Sequence, residues 1–113
     1  MIDQVRPTDL EAWIAAQGGD GVVLDVREAA ELRAASVPPP AQGWELLAIP
    51  MNEVPARLSD LDPDRPVACL CHHGGRSQRV AMFLAQNGFS RVANVAGGID
   101  AWSRERDPSV PRY

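Results

Sequence analysis

The chain has 113 residues, 45% hydrophobic and 23% charged, with a formal net charge of -4, a composition ordinary for one globular domain with a single core. The acidic balance gives no electrostatic reason to expect nucleic acid or a membrane as partner. All 11 basic residues are arginine, which excludes Schiff-base or general-base chemistry by lysine.

Residues 2–5 suit a short first strand, and the polar start Met1-Ile2-Asp3-Gln4 does not look like a secretory signal. The expected compartment is therefore the cytoplasm, where free thiols persist. Thr8 with Glu11 three residues on has the form of a capping box, predicting a helix that turns Leu10, Trp13 and Ile14 inward. After a glycine-rich turn at 17–21, residues 22–26 form a β-branched run typical of a buried parallel strand. A short helix is expected over 28–35, then an extended surface segment over 36–44, because Pro38-Pro39-Pro40 fits neither helix nor central strand. A strand at 46–49 and a helix at 52–58, capped by Asn52 and with Pro55 in its first turn, come next. A charged turn over 59–66 leads to a strand at 67–71, a loop, and a helix at 77–87 closed by Gly88. A last strand at 91–95, a bend at 96–98, a short helix at 99–104 and a tail at 107–113 complete one domain spanning 1–113. Strands alternating with helices indicate an α/β fold with a mainly parallel sheet, whose ligands bind beyond the carboxyl ends of the strands. Two predicted strands end in polar residues there, at Asp25-Val26-Arg27 and at Cys71.

The stretch Cys69-Leu70-Cys71-His72-His73-Gly74-Gly75-Arg76-Ser77-Gln78 organises the chain. Cys71 falls where strand gives way to loop and helix, and a helix start favours an anion such as a thiolate. Gly74 and Gly75 allow positive φ and let successive N–H groups turn inward as a nest. Arg76 adds a permanent positive charge, and Ser77 is placed to cap the following helix. His72 and His73 either add partial positive charge near the sulfur or line the rim. The segment 72–77 is thus a candidate cup for an anionic substrate, centred on Cys71.

Cys69 lies mid-strand and is expected to pack in the core. The two cysteines are poorly placed for a disulfide, since strand neighbours two apart sit roughly 6.6 Å apart with parallel Cβ bonds. The spacing of Cys69, Cys71, His72 and His73 matches no usual zinc pattern, so no metal is expected. Asp25 and Arg27 are expected to brace the Cys71 loop from the neighbouring strand, the alternative being a surface ion pair with Glu28 or Glu31. Arg27 or Arg79 is expected to add to the field that an approaching anion meets. Trp102 is expected to pack, and Trp44 to anchor its loop.

Leu24-Asp25-Val26-Arg27-Glu28, then Cys71 to Ser77, then Gly97-Gly98-Ile99-Asp100-Ala101-Trp102 resemble the three landmarks of the rhodanese-like domain, in order and spacing. The resemblance spans essentially the whole chain. It implies a five-stranded sheet flanked by helices on both faces, and a cysteine that carries a sulfane sulfur as persulfide. It also implies an anionic donor such as thiosulfate, a thiophilic acceptor (cyanide, a thiol or a sulfur-acceptor protein) and no cofactor. Related dual-specificity phosphatases and arsenate reductases place five residues between cysteine and arginine; here four separate Cys71 from Arg76, which argues against phosphatase. The stretch at 36–44 departs from the His-Ile-Pro-Gly-Ala-like segment of many members. A competing reading is a rhodanese-like binding or regulatory module without turnover, although such modules typically lack the cysteine.

Overall fold

The computed structural model describes residues 2–113. In chain order its elements are β1 (Asp3–Val5), α1 (Leu10–Ala16), β2 (Gly21–Asp25), α2 (Ala29–Ala34), β3 (Trp44–Ala48), β4 (Val67–Leu70), α3 (Gly75–Gln86), β5 (Val92–Val95) and α4 (Gly98–Ala101). The five strands make one sheet in the order β1-β5-β4-β2-β3, every pairing parallel. β2, β4 and β5 are buried along their whole lengths, as strands covered on both faces must be.

Strand alternation splits the interior in two. Val23, Ala68, Leu70, Ala93 and Val95 face Leu10 and Ile14 of α1 together with Ile99 and Trp102. Val22, Leu24, Val26, Val67 and Cys69 face Val80, Ala81 and Leu84 of α3 together with Val54 and Leu61. Burying each of the large side chains, such as Leu10, Leu24, Leu70 and Leu84, contributes about 2 kcal/mol. β4 runs between β5 and β2, and the chain reaches those neighbours in opposite senses. The point just beyond its carboxyl end is therefore a switch point of the sheet, and Cys71 stands there.

Several local expectations give way to tertiary contacts. No capping box forms at Thr8: Pro7–Asp9 is a 3-10 turn, and Glu11 instead accepts from Arg106 and from the Trp44 indole N–H. Leu10 and Ile14 are buried as expected, while Trp13 is half-buried and donates to Asp3. The box that does form is at α2, where Glu28 and Glu31 exchange side-chain and backbone bonds. The helix expected over 52–58 is instead two 3-10 turns, Met51–Glu53 and Leu58–Asp60, joined by irregular turns. Its start at Met51 puts Pro55 beyond the first turn, where the ring opposes helix. β3 begins two residues early because Trp44 is buried, pairs with Gly21 and stacks edge-on against Trp102 at 5.9 Å. Trp44 therefore anchors, as expected. The last helix is short: α4 passes into a π-helical turn at Trp102–Arg106.

Candidate active site

Cys71 follows the last residue of β4, and its backbone is gripped from α4. The Ile99 N–H donates to the Cys71 carbonyl at 2.8 Å and the Asp100 N–H to the His72 carbonyl at 3.1 Å. This grip requires Gly98. A Cβ there would stand 2.5 Å from the Cys71 carbonyl oxygen and closer still to that of His72, and its φ is +62°. The Gly97-Gly98 bend is thus a close-approach device, with the backbone of α4 laid directly on the backbone of the loop.

The sulfur faces the loop. The Gly74 N–H donates to Cys71 Sγ at 3.0 Å, and Ser77 Oγ lies 3.2 Å from the same atom. Gly74 makes this possible by adopting φ 114°, which turns the chain into α3 and aims its amide back at the sulfur. Gly75 departs from the expected nest: it is the first residue of α3, has no positive φ, and has open space where a Cβ would go. Ser77 departs too, because the helix starts two residues earlier than expected. It is the third residue of α3, fully buried, and its hydroxyl serves the site instead of capping the helix. Among the described residues, Gly74 supplies the one backbone amide within hydrogen-bond reach of the sulfur. Cys71 itself is 1% exposed.

Arg76 lies beside this cup, but its charge is engaged. Both terminal nitrogens donate to Glu31 at 2.7 Å, a bidentate pair. The Arg76 guanidinium holds the Glu31 carboxyl down at about 2, and Glu31 in turn raises the Arg76 pKa. Glu31 also accepts from the Tyr113 hydroxyl at 3.1 Å. The Tyr113 ring lies flat on His72 at 4.0 Å, and His72 on His73 at 3.9 Å. His72 Nε2 is buried in this stack with no hydrogen-bond partner among the described residues. The histidines therefore form a wall closed by a residue of the 107–113 segment.

Asp25 and Arg27 are neither a surface pair nor direct props of the loop. Both are fully buried and bound to each other, Arg27 Nη2 to Asp25 Oδ2 at 2.7 Å and Nε to Oδ1 at 2.9 Å. Arg27 then donates to the carbonyls of Glu31 and Ala35 and to the Tyr113 hydroxyl. Burial opposes its charge, but the bonds to Asp25 and Tyr113 prevail and raise its pKa. What the pair braces is the end of α2 and Tyr113, and through them Glu31. Buried and paired with Asp25, Arg27 is turned away from an approaching anion, which leaves Arg79 as the other residue of that expectation. Cys69 is wholly buried, and burial pushes its thiol up.

The family model described as "Rhodanese-like domain" matches residues 6–105. The chain belongs to the rhodanese-like domain family. A sulfurtransferase of Allochromatium vinosum is 36% identical over 110 residues, covering 97% of this chain and 96% of that protein. Thiosulfate sulfurtransferase GlpE of Actinobacillus pleuropneumoniae is 32% identical, covering 91% of this chain and 90% of the relative. A solved rhodanese-related protein of Thermoplasma volcanium superposes with a TM-score of 0.75 at 33% identity, over 98% of this chain and 99% of that one. The rhodanese fold, its five-stranded parallel sheet and its flanking helices are those the resemblance implied.

Sequence reasoning missed two parts of this rhodanese-like site. Asn94 of β5 is buried, accepts from Ser77 Oγ at 2.5 Å and donates to the Gly74 carbonyl at 3.2 Å. Its signal was present, as the one polar residue in the strand Val92-Ala93-Asn94-Val95. Tyr113 carried no signal, since nothing local to the 107–113 segment says where the chain returns. No helix among the described residues is long and apolar enough to cross a membrane.

Proposed function

We propose that this rhodanese-like protein is a sulfurtransferase that carries a sulfane sulfur on Cys71 between a donor, thiosulfate or a persulfide, and a thiophilic acceptor. In the first half-reaction the Cys71 thiolate attacks the outer sulfur of thiosulfate. A bond forms between the two sulfurs, the donor's S–S bond breaks, and sulfite leaves with its electron pair. In the second, cyanide, a thiol or an acceptor protein attacks that outer sulfur, and the Cys71 thiolate departs. The two displacements balance with no external oxidant or reductant.

The observation that carries this reading is the sulfur's orientation. Sγ is turned into the loop toward the Gly74 N–H, at the start of α3, where the backbone dipoles favour negative charge. Its depth supports the substrate class. A nucleophile 1% exposed is best reached by a terminal, one-coordinate atom, which a sulfane sulfur is. The remaining loop residues assist: Gly74 through its amide, Ser77 through its hydroxyl, and His72, His73, Gly75 and Arg76 as the lining an anionic donor meets. Both cysteines are free thiols, a state that suits the cytoplasm.

The test is thiosulfate-dependent thiocyanate formation together with intact mass. Wild type treated with thiosulfate gains one sulfur atom on Cys71 and loses it to cyanide. Cys71→Ser does neither, whereas Cys69→Ser retains most of the activity. A protein that stays unmodified with every sulfane donor is a binding module, and the reverse behaviour of the two variants removes the nucleophile from Cys71.

A further inference from the structure

The hydrogen-bond directions around Ser77 fix where its proton goes. The Gly74 carbonyl can only accept, so the Asn94 atom 3.2 Å from it is the amide nitrogen. That nitrogen's second proton goes to Gln4 Oε1 at 3.0 Å, and Gln4 Nε2 continues the chain to Gln78 Oε1 at 2.6 Å. With the nitrogen so placed, the atom facing Ser77 is Asn94 Oδ1, an acceptor only. Ser77 Oγ has one proton and three acceptors in range: Asn94 Oδ1 at 2.5 Å, Cys71 Sγ at 3.2 Å and the Gly74 carbonyl at 3.3 Å. The shortest, to an amide oxygen, takes it. What Ser77 then presents to the sulfur is a lone pair.

We propose that Asn94 is a positioning residue: by holding the Ser77 hydroxyl proton it makes Ser77 an acceptor for the Cys71 S–H, and so stabilises the resting thiol against the thiolate. For the sulfur to become an anion bonded by Ser77, that hydroxyl must turn away from Asn94. Asn94 sets the cost of that turn without touching the sulfur. The inference rests on Cys71 being the nucleophile of the proposed reaction.

The charged groups around this sulfur are accounted for from each side. Arg76 on α3 is bound by Glu31, Cys69 on β4 is pushed up by burial, and Asp100 on α4 is bound by Arg104 and Arg112. His72 and His73, the loop's own titratable groups, are kept in wild type and in every variant of the experiment below.

The experiment is the rate of Cys71 alkylation by iodoacetamide against pH, read by intact mass on the full chain in a Cys69→Ser background. The proteins compared are wild type, Asn94→Ala, the similarly sized Asn94→Leu, Ser77→Ala, and the doubles Ser77→Ala/Asn94→Ala and Ser77→Ala/Asn94→Leu. Freed from Asn94, the Ser77 proton turns to the sulfur and favours its anion. Both Asn94 variants then move the profile toward lower pH, by about one unit for one hydrogen bond transferred to the charged form. In the Ser77→Ala background neither Asn94 substitution moves it further. A profile that stays in place or moves to higher pH in a folded Asn94 variant overturns the proposal, as does a shift that persists without Ser77. Asn94→Leu, which replaces the lost volume, supplies the answer if the alanine variant does not fold. Alkylation requires no sulfur donor, so failure of the sulfur-transfer reading shows up separately, as a Cys71 that alkylates but accepts no sulfur.

Discussion

Removing the Arg27 guanidinium tests whether the buried pair supports α2. Arg27→Met keeps an unbranched stem of similar reach but deletes every donor. Asp25 loses both of its side-chain partners on Arg27 and keeps only the Arg27 backbone N–H at 3.1 Å. The Ala35 carbonyl loses its donor as well, and the Glu31 carbonyl keeps only the Ala35 N–H, in a region where Asp25 is 0% exposed. Breaking a buried ion pair by removing one partner typically costs about 3–5 kcal/mol. Taking about 4 kcal/mol, and an unfolding entropy of about 2.1 cal/mol/K per residue, the melting temperature of a chain this size falls by roughly 17 °C. Asp25→Leu/Arg27→Met removes the stranded carboxylate and should recover most of that loss, because an apolar pair avoids the desolvation of two charges. Urea unfolding at pH 7, followed by far-ultraviolet circular dichroism, measures both. A single variant that costs less than about 1 kcal/mol, or a double that is no better than the single, would refute the assignment of the strain to an uncompensated buried charge.

The glycines and the acidic groups give the remaining tests. Gly98→Ala drives a Cβ into the Cys71 and His72 carbonyls at positive φ. It should cost about 3 kcal/mol, combining left-handed strain with two weakened loop hydrogen bonds, and lower kcat/KM about tenfold or more by displacing the loop. Gly75→Ala, helical and with open space at Cβ, should instead stabilise by about 0.5–1 kcal/mol; thermal melts in which Gly75→Ala proved the worse of the two would count against this geometry. The Arg76 pair depresses Glu31 to about 2, and the Arg106 pair, with help from the Trp44 N–H, depresses Glu11 to about 2. Their folded pKa values lie below the ordinary 4.5, so the stability they contribute is present above pH 4.5 and is lost as pH falls toward 2. Glu31→Gln and Glu11→Gln should each flatten that acid limb by up to one proton and leave the neutral plateau flat; an unchanged acid limb in urea titrations at pH 2–5 removes the linkage.

What could be read from the sequence was whatever depends on pattern. The β-branched run at 22–26 and the apolar run at 67–71 place the central strands because burial on both faces leaves little choice of residue. The place of Cys71, at a strand end with its sulfur toward the loop, was legible because a strand pattern stops there and a Gly-Gly-Arg-Ser turn follows. Several of the misplacements come from competition between local and distant partners. Thr8 and Glu11 have capping-box spacing, yet Arg106 and Trp44 from elsewhere in the chain claim the carboxylate. Ser77 suits a helix cap, yet the left-handed Gly74 starts α3 earlier and leaves the hydroxyl to the sulfur and Asn94. Arg76 reads as a free cation until α2 delivers Glu31, 45 residues away in sequence. Tyr113 stacks on His72 only because the chain returns across the site.

These distant partners have a collective effect on the proposed chemistry. Arg27 is matched internally by Asp25 and Arg76 by Glu31, so neither guanidinium is left free to stabilise a sulfur anion. That task falls to dipoles: the Gly74 amide, the start of α3 and, once it turns, the Ser77 hydroxyl. Dipoles act over short distances, so their value depends on placement to within tenths of an ångström, which explains why so much of the structure is devoted to placing the loop. Gly98 lets α4 hold the loop's carbonyls, Asn94 holds Gly74 and Ser77, and β4 fixes the strand end. Unlike surface charges, these groups are not weakened by salt, and their orientation is set by backbone already folded for other reasons. The charged pairs contribute rigidity, and the neutral groups they hold in place contribute the electrostatics.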